Sequence, residues 1–446
     1  MDHPPWPLFA LAGAAALALG TCYVAFGPST ASKRPRRPHD PPGLSNSGQS
    51  CFVNAILQAL ASCGTFIQWL ETRIQDHCPQ DQSVREQLGH TLAILNNRGQ
   101  IGRVQVWSAE PLMTAIRMHG WVIDTQEQDA HEMLHILLTS LEEELLRLEM
   151  ARTNTAGIGD IVEATLPESN PVSQPDFQPG HRRRSSGVFL KSGEEITLPH
   201  VEGQTNTLKR RKTSTPFNGT LTNKVTFTDG RSKSPVSSLG FNNITLCLPK
   251  SGHILNGVVS LETLLQMYIS RETVEGATSQ SGHKTNPALA KQLAFGKLPP
   301  CLCLHIQRTA FSANTPSKRW EHVAFPELLD MKRYVYLSQM KKDQALKKSV
   351  SNQEVMSLLS DMSSSSSPSD LYLLRSVVVH LGQVSSGHYV TYRRGPLNTP
   401  SGSKWFCISD ASVEPVPLST VLKANAFMLF YEKLQPTAIT PTTYFC

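Results

Sequence analysis

A cysteine at position 51 and a histidine at position 388 have the surroundings that nucleophilic acyl transfer needs. Cys51 closes the run Gly43-Leu44-Ser45-Asn46-Ser47-Gly48-Gln49-Ser50-Cys51, and Phe52-Val53-Asn54-Ala55-Ile56-Leu57-Gln58-Ala59-Leu60 follows directly. A turn rich in Gly, Asn and Ser thus delivers one thiol to the start of an apolar, helix-periodic stretch. Phe52, Ile56, Leu57 and Leu60 fall on one face, which predicts a helix that buries that side. A thiol at a helix N-terminus meets unpaired backbone N–H groups and the positive end of the macrodipole, and both favour the thiolate. The thiolate is the form that attacks a carbonyl carbon. An isolated cysteine is more often a buried structural residue behind a helix cap. Here the turn, the helix and the distant His388, set between Gly387 and an aromatic strand, agree on the chemical reading.

Three ordered stretches together resemble the ubiquitin-specific proteases, a family of cysteine deubiquitinases. The run around Cys51 is similar to the family's cysteine box. Gln126-Glu127-Gln128-Asp129-Ala130-His131-Glu132-Met133 is similar to its glutamine-rich box. Residues 377–393, with His380, Gly382, Gly387 and His388, resemble its histidine box, and Trp405-Phe406-Cys407-Ile408-Ser409-Asp410 resembles the usual sequel. The resemblance spans residues 43 to about 433.

It implies a role for each residue. Cys51 attacks the carbonyl of ubiquitin's C-terminal glycine, giving a thioester that water hydrolyses. His388 takes the thiol proton and returns one to the leaving lysine amine. Ser409 stands where the family usually has Asp or Asn to hold the histidine's other nitrogen. A hydroxyl can accept that N–H and fix the tautomer, but it stabilises the imidazolium less than a carboxylate does. Asp410, next along a strand, would point to the opposite face. Asn46 aims its amide at the developing oxyanion, or serves as a turn residue tolerating positive φ. Asp129, in a D-x-x-E pair that can cap a helix, also contacts ubiquitin's arginine-bearing tail. His380 borders the channel that takes the diglycine end.

Many relatives carry two C-x-x-C pairs as a Cys₄ zinc site. Between Thr205 and Phe295 this chain has one cysteine, Cys247, while Cys301 and Cys303 share one face of an apolar strand and read as core packing. No metal and no cofactor is expected. The nine cysteines form no disulfide-like framework, which suits a reducing compartment. The net charge of +6 comes largely from short runs without interleaved aromatics, such as Lys33-Arg34-Pro35-Arg36-Arg37, which argues against a nucleic-acid partner.

The elements that must position these residues are legible in outline. Residues 1–5 are a short tail. Trp6 to Gly27 is apolar and uncharged, long enough for a membrane-spanning helix. The basic cluster after it keeps that side in the cytosol, and the pattern resembles a mitochondrial outer-membrane signal anchor. A basic, Pro-rich linker fills 28–42. The catalytic domain covers 43–433: helices to about 150, a polar insert over about 151–215 expected to be disordered, then short strands interrupted by a second such insert over about 341–370. A tail covers 434–446. The expected strands include Cys301–Gln307, Leu371–Leu381, His388–Arg393, Trp405–Ser409 and Phe427–Glu432.

Helices first and strands later, with Cys early and His late, match a papain-like α+β fold. The resemblance adds thumb, palm and fingers, with the site between thumb and palm, behind the single N-terminal transmembrane helix. The implied partners are ubiquitin and ubiquitinated membrane proteins. Two other readings stand beside this one. The first is a catalytically weak ubiquitin-binding scaffold, suggested by Ser409. The second is a secreted or lumenal thiol protease, which requires 6–27 to be a cleaved signal and would be favoured by glycans at the sequons of Asn218 or Asn243.

Overall fold

The first helix, α1 (Cys51–Leu60), is buried on every side rather than on the one face that its periodicity predicts. It runs through the middle of the molecule, with helices against one side and a sheet against the other. The computed structural model describes residues 37, 39–46, 48–75, 83–98, 104–122, 129–158, 183–184, 213–227, 236–249, 258–270, 272–274, 289–312, 315–336, 370–384, 387–396 and 399–434. The expected membrane helix at 6–27 lies outside these residues, as do most of the linker, most of both inserts, and the tail from 435 on. Among the described residues no single helix is long and apolar enough to cross a membrane.

Four further helices surround α1: α2 (Gly64–Gln75), α3 (Val84–Leu95), α4 (Glu110–Met118) and α5 (Ala130–Ile158). Ala130, Met133, Leu134, Leu137, Leu138, Leu141 and Leu145, which recur at helical spacing along α5, are all buried. The helix outruns its expected end near residue 150, because the Pro-rich composition that signals the insert begins only at Pro167. The described pieces of the first insert also include Arg183–Arg184, paired with Trp121–Val122.

The palm is one sheet of eight strands: β1 (Ile244–Cys247), β2 (Cys301–Gln307), β3 (Leu328–Asp330), β4 (Leu371–Gly382), β5 (Gly387–Arg394), β6 (Trp405–Ser409), β7 (Ser412–Val416) and β8 (Ala426–Lys433). Their order is β7-β6-β5-β4-β8-β2-β1, with β3 also on β4, and only β1 and β2 run parallel. Side chains alternate between two cores, as a sheet buried on both faces requires. Cys301, Cys303, Met428 and Phe430 face the helices, whereas Leu302, Leu304, Leu429 and Tyr431 fill the far side. Both cysteines therefore sit in the core as expected. A separate four-stranded sheet forms the fingers, in the order Val236–Phe241, Gly219–Phe227, Leu289–Phe295, Glu272–Val274. Phe241 packs edge-on against Phe295 at 5.9 Å.

Among the contacts that lock helices to sheet, two involve charged or titratable side chains deep in the core. Arg393 on β5 is fully buried and spends all five guanidinium N–H groups. Nε donates to Arg394 O at 3.0 Å, Nη1 to Gln58 Oε1 at 3.0 Å and Leu95 O at 3.5 Å, and Nη2 to Ala61 O and Asn96 Oδ1, both at 3.0 Å. The second contact stacks His131 of α5 on His305 of β2, with centroids 4.1 Å apart. His131 Nε2 reaches Asn243 Oδ1 at 2.8 Å, and His305 Nδ1 lies 3.2 Å from Thr245 Oγ1.

Arg393→Met should leave several buried acceptors unpaired, at a cost of about 3–5 kcal/mol, and should lower the melting temperature by at least about 5 °C. Burial, then His131 and Arg308, hold His305 well below the ordinary histidine value of 6.5. The unfolded chain takes up that proton near pH 6.5 and the folded chain does not, so stability falls as pH drops below about 6.5. The melting temperature of His305→Gln should vary less steeply between about pH 6.5 and 5 than that of the unmodified protein.

Candidate active site

The turn before α1 is built from left-handed residues, Gly48 at φ +98° and Gln49 at φ +57°. A non-glycine residue in that region is uncommon and is held by its surroundings. Ser50 precedes the helix without capping it through its side chain. Instead Asn46 Oδ1 accepts from Ser50 N at 3.0 Å and from Ser50 Oγ at 3.2 Å. Asn46 Nδ2 donates to Asp410 Oδ2 at 2.9 Å. Asn54, one turn into α1, donates to Asp410 Oδ1 at 2.8 Å and to Ser45 O at 3.1 Å.

Asp410 occupies the tight β6–β7 turn at φ +49°, so it leaves the strand instead of alternating with Ser409. Its carbonyl accepts from Leu44 N at 2.9 Å. Gly43 lies so close to this turn that a Cβ would stand 2.6 Å from Ala411 Cα. The loop that carries the thiol is thereby bound to the hairpin that carries Ser409.

Cys51 is 3% exposed. Burial pushes its thiol above the usual cysteine value. The Tyr389 backbone amide pulls it down, the Asp410 carboxylate pushes it up, and the amides of Phe52 and Cys51 pull it down again. The net direction is up, which corrects the expectation that the helix N-terminus lowers it. Withdrawing a thiolate from water costs more here than the amides return. The Tyr389 amide also fixes where the thiol lies, beside the residue that follows His388. His388, opposite Leu381 in the β4–β5 ladder, has Nε2 2.8 Å from Ser409 Oγ. With Nε2 so engaged, Nδ1 is the ring nitrogen left for proton exchange.

The remaining expected residues fall around this centre. Asp129 is exposed and caps α5, Oδ1 accepting from His131 N at 2.7 Å. Gln126–Gln128 lie outside the described residues. The His380 ring stacks on Tyr389 at 4.5 Å. Asn54 and Asp410 as a bridging pair were missed by sequence reasoning. A signal existed, since Asn54 and Gln58 are polar residues one turn apart in an otherwise apolar, buried helix. The sequon residues both work inside the fold: Asn218 Nδ2 donates to Glu142 Oε1 at 2.7 Å, and Asn243 meets His131. That use of Asn218 Nδ2, the atom a glycan would occupy, weighs against the lumenal reading.

A thiol at a helix start and a histidine on a facing strand, oriented by a third side chain, define a cysteine hydrolase of the papain-like type. Residues 42–431 match the family model described as ubiquitin carboxyl-terminal hydrolase, and the chain belongs to that family. It is 32% identical to "Ubiquitin carboxyl-terminal hydrolase 30" of Xenopus tropicalis, over 95% of this chain and 86% of that one. It is likewise 32% identical to the Homo sapiens protein of the same name, over 94% of this chain and 89% of that one. Among solved structures, the SAGA Ubp8/Sgf11/Sus1/Sgf73 DUB module bound to ubiquitin aldehyde has a similar fold. Its TM-score is 0.57 at 20% identity, covering 94% of this chain and 75% of that one. The protein is a cysteine-type ubiquitin C-terminal hydrolase.

Asp410→Ala should lower kcat/KM on a fluorogenic ubiquitin C-terminal substrate by at least about tenfold, roughly 1.4 kcal/mol. Asn54→Ala should lower it less, because Asn46 keeps its own bond to Asp410.

Proposed function

We propose that Cys51 is the nucleophile, His388 the general base and acid, and Ser409 the residue that orients the histidine. The observation that carries this reading is the 2.8 Å contact of His388 Nε2 with Ser409 Oγ, on the strand whose next amide meets the Cys51 thiol. His388 Nδ1 takes the thiol proton as sulfur attacks the carbonyl carbon of ubiquitin's last glycine. The proton then passes to the departing lysine amine, leaving a thioester on Cys51. A water activated by His388 hydrolyses the thioester and frees the ubiquitin carboxylate. The raised thiol makes the histidine's part in the first step essential, since little thiolate stands ready beforehand.

Asn46 serves the oxyanion. Its Oδ1 is fixed by Ser50 and one N–H by Asp410, which leaves the second N–H of the same amide for the negatively charged oxygen. Asp129 combines its capping bond with a contact to the arginine-bearing tail of ubiquitin, and His380 lines the approach to the thiol. The fingers are held by apolar contacts without zinc.

In the full chain the Trp6–Gly27 segment anchors this domain in the mitochondrial outer membrane, with residues 43–446 in the cytosol. The apolar length and the basic residues that follow support the anchor and its orientation. There the enzyme removes ubiquitin from outer-membrane proteins and so opposes mitophagy.

Cys51→Ala and His388→Ala should abolish hydrolysis of the fluorogenic substrate, Ser409→Ala should lower kcat at least about tenfold, and Ser409→Asp should be tolerated. Full activity in Ser409→Ala would remove that residue from the mechanism. Absence of turnover in the unmodified protein, with ubiquitin binding retained, would favour the scaffold. Protease added to intact mitochondria should degrade the catalytic domain, and full protection of that domain would refute the proposed orientation.

A further inference from the structure

Lys318 ends the Thr309–Ser312/Thr315–Lys318 hairpin and takes no part in the chemistry above. Its ammonium has three hydrogens and meets three acceptors: Gly382 O at 2.6 Å, His380 O at 3.0 Å and His380 Nδ1 at 3.2 Å. Burial, then Arg308, push Lys318 down to about 8, so at neutral pH the ammonium predominates. It can only donate, so His380 Nδ1 then carries a lone pair and the proton of the neutral ring sits on Nε2. Burial, with the neighbouring charges of Lys318 and His388, pushes His380 down to about 4, so the ring is neutral at physiological pH.

The place of that ring matters more than its charge. In the β4–β5 ladder Gly382 pairs with Gly387, Leu381 with His388, and His380 with Tyr389. The His380 ring lies 4.5 Å from Tyr389 at an interplanar angle of 21°. It also covers Gly387 so closely that a Cβ there would fall 2.0 Å from Nε2. His380 therefore packs against the residue before His388 and the residue after it. Gly382, at φ +87°, ends β4 just before the chain turns toward β5.

We propose that Lys318 is a positioning residue for ubiquitin hydrolysis: its three bonds fix the end of β4 and the His380 ring, and these hold the His388 imidazole in line with the Cys51 thiol. The inference rests on the reading of Cys51 and His388 as nucleophile and base. It assigns the hairpin a task that needs no direct contact with substrate. A lysine suits this task because its compact ammonium can reach three acceptors on converging backbone, which the flat guanidinium of arginine does not match.

The test compares the full-length protein with Lys318→Met, which keeps the chain length and removes every donor. The proposal expects kcat on the fluorogenic ubiquitin substrate to fall at least about tenfold, with KM within about twofold. It also expects the pH profile of Cys51 alkylation by iodoacetamide to shift, because that profile follows the thiol and its histidine. An unchanged kcat overturns the proposal. So does a rise in KM alone, or a fall in kcat with an unchanged alkylation profile.

Should Lys318→Met fail to fold, ¹⁵N NMR of the histidine-labelled, unmodified protein at neutral pH decides. The His380 signals are assigned by their loss in His380→Gln. A proton on Nε2 with a bare Nδ1 supports the proposal, and a protonated Nδ1 overturns it. Failure of the underlying reading would show separately, as turnover that survives in Cys51→Ala.

Discussion

A single buried guanidinium sets the register between the helix that begins at Cys51 and the strand that holds His388. Arg393 faces no carboxylate. Its acceptors are the neighbouring Arg394 carbonyl, the side-chain amides of Gln58 and Asn96, and the carbonyls of Ala61 and Leu95, at the C-terminal ends of α1 and α3. Such ends carry unpaired carbonyls and the negative pole of the helix, so two helices jointly solvate one cation. Burial pushes Arg393 down to about 9, and it still keeps its charge at neutral pH. A slip of one residue between α1 and β5 would strand several donors at once.

The same contact line runs up the strand toward the thiol. Residues 389, 391 and 393 share one face of β5, as the two-residue period requires. Arg393 binds Gln58, Thr391 Oγ1 donates to Ala55 O at 2.9 Å, and the Tyr389 amide meets Cys51. The reactive end of this line is its most exposed to perturbation, because it lies nearest the turn and farthest from Arg393. Asp410 closes the other side, and its charge opposes formation of the thiolate. A neutral Ser409 adds no second negative charge to that field.

Much of this architecture is legible in the sequence where a pattern repeats. Cys301–Gln307 and Trp405–Ser409 are strands with the expected bounds, and the strands expected at 371–381, 388–393 and 427–432 lie within one residue of those observed. Alternating or continuous apolar residues announce such elements whatever they pack against. The residues whose roles are not legible act singly. Arg393, Lys318 and Asp410 owe their roles to partners brought near by folding, and one polar residue in a strand or turn has no period to betray it. Direction of ionisation was misjudged for a related reason. The helix start at Cys51 is a local feature, whereas the burial that outweighs it is assembled from β5 and the helices together. Asp129 shows the converse, since its capping bond spans two residues and could be read directly.

The place of β8 in the sheet bears on how the enzyme comes into being. This late strand, Ala426–Lys433, lies between β4 and β2 and joins the histidine-bearing meander to the rest of the palm. During translation the two parts of the sheet wait with open edges until Ala426–Lys433 has left the ribosome. Contacts of such long sequence separation form late, and open edges invite association with other chains. A product that stops short of residue 426 would contain Cys51, His388 and Ser409 but lack the strand that joins the two parts of the sheet.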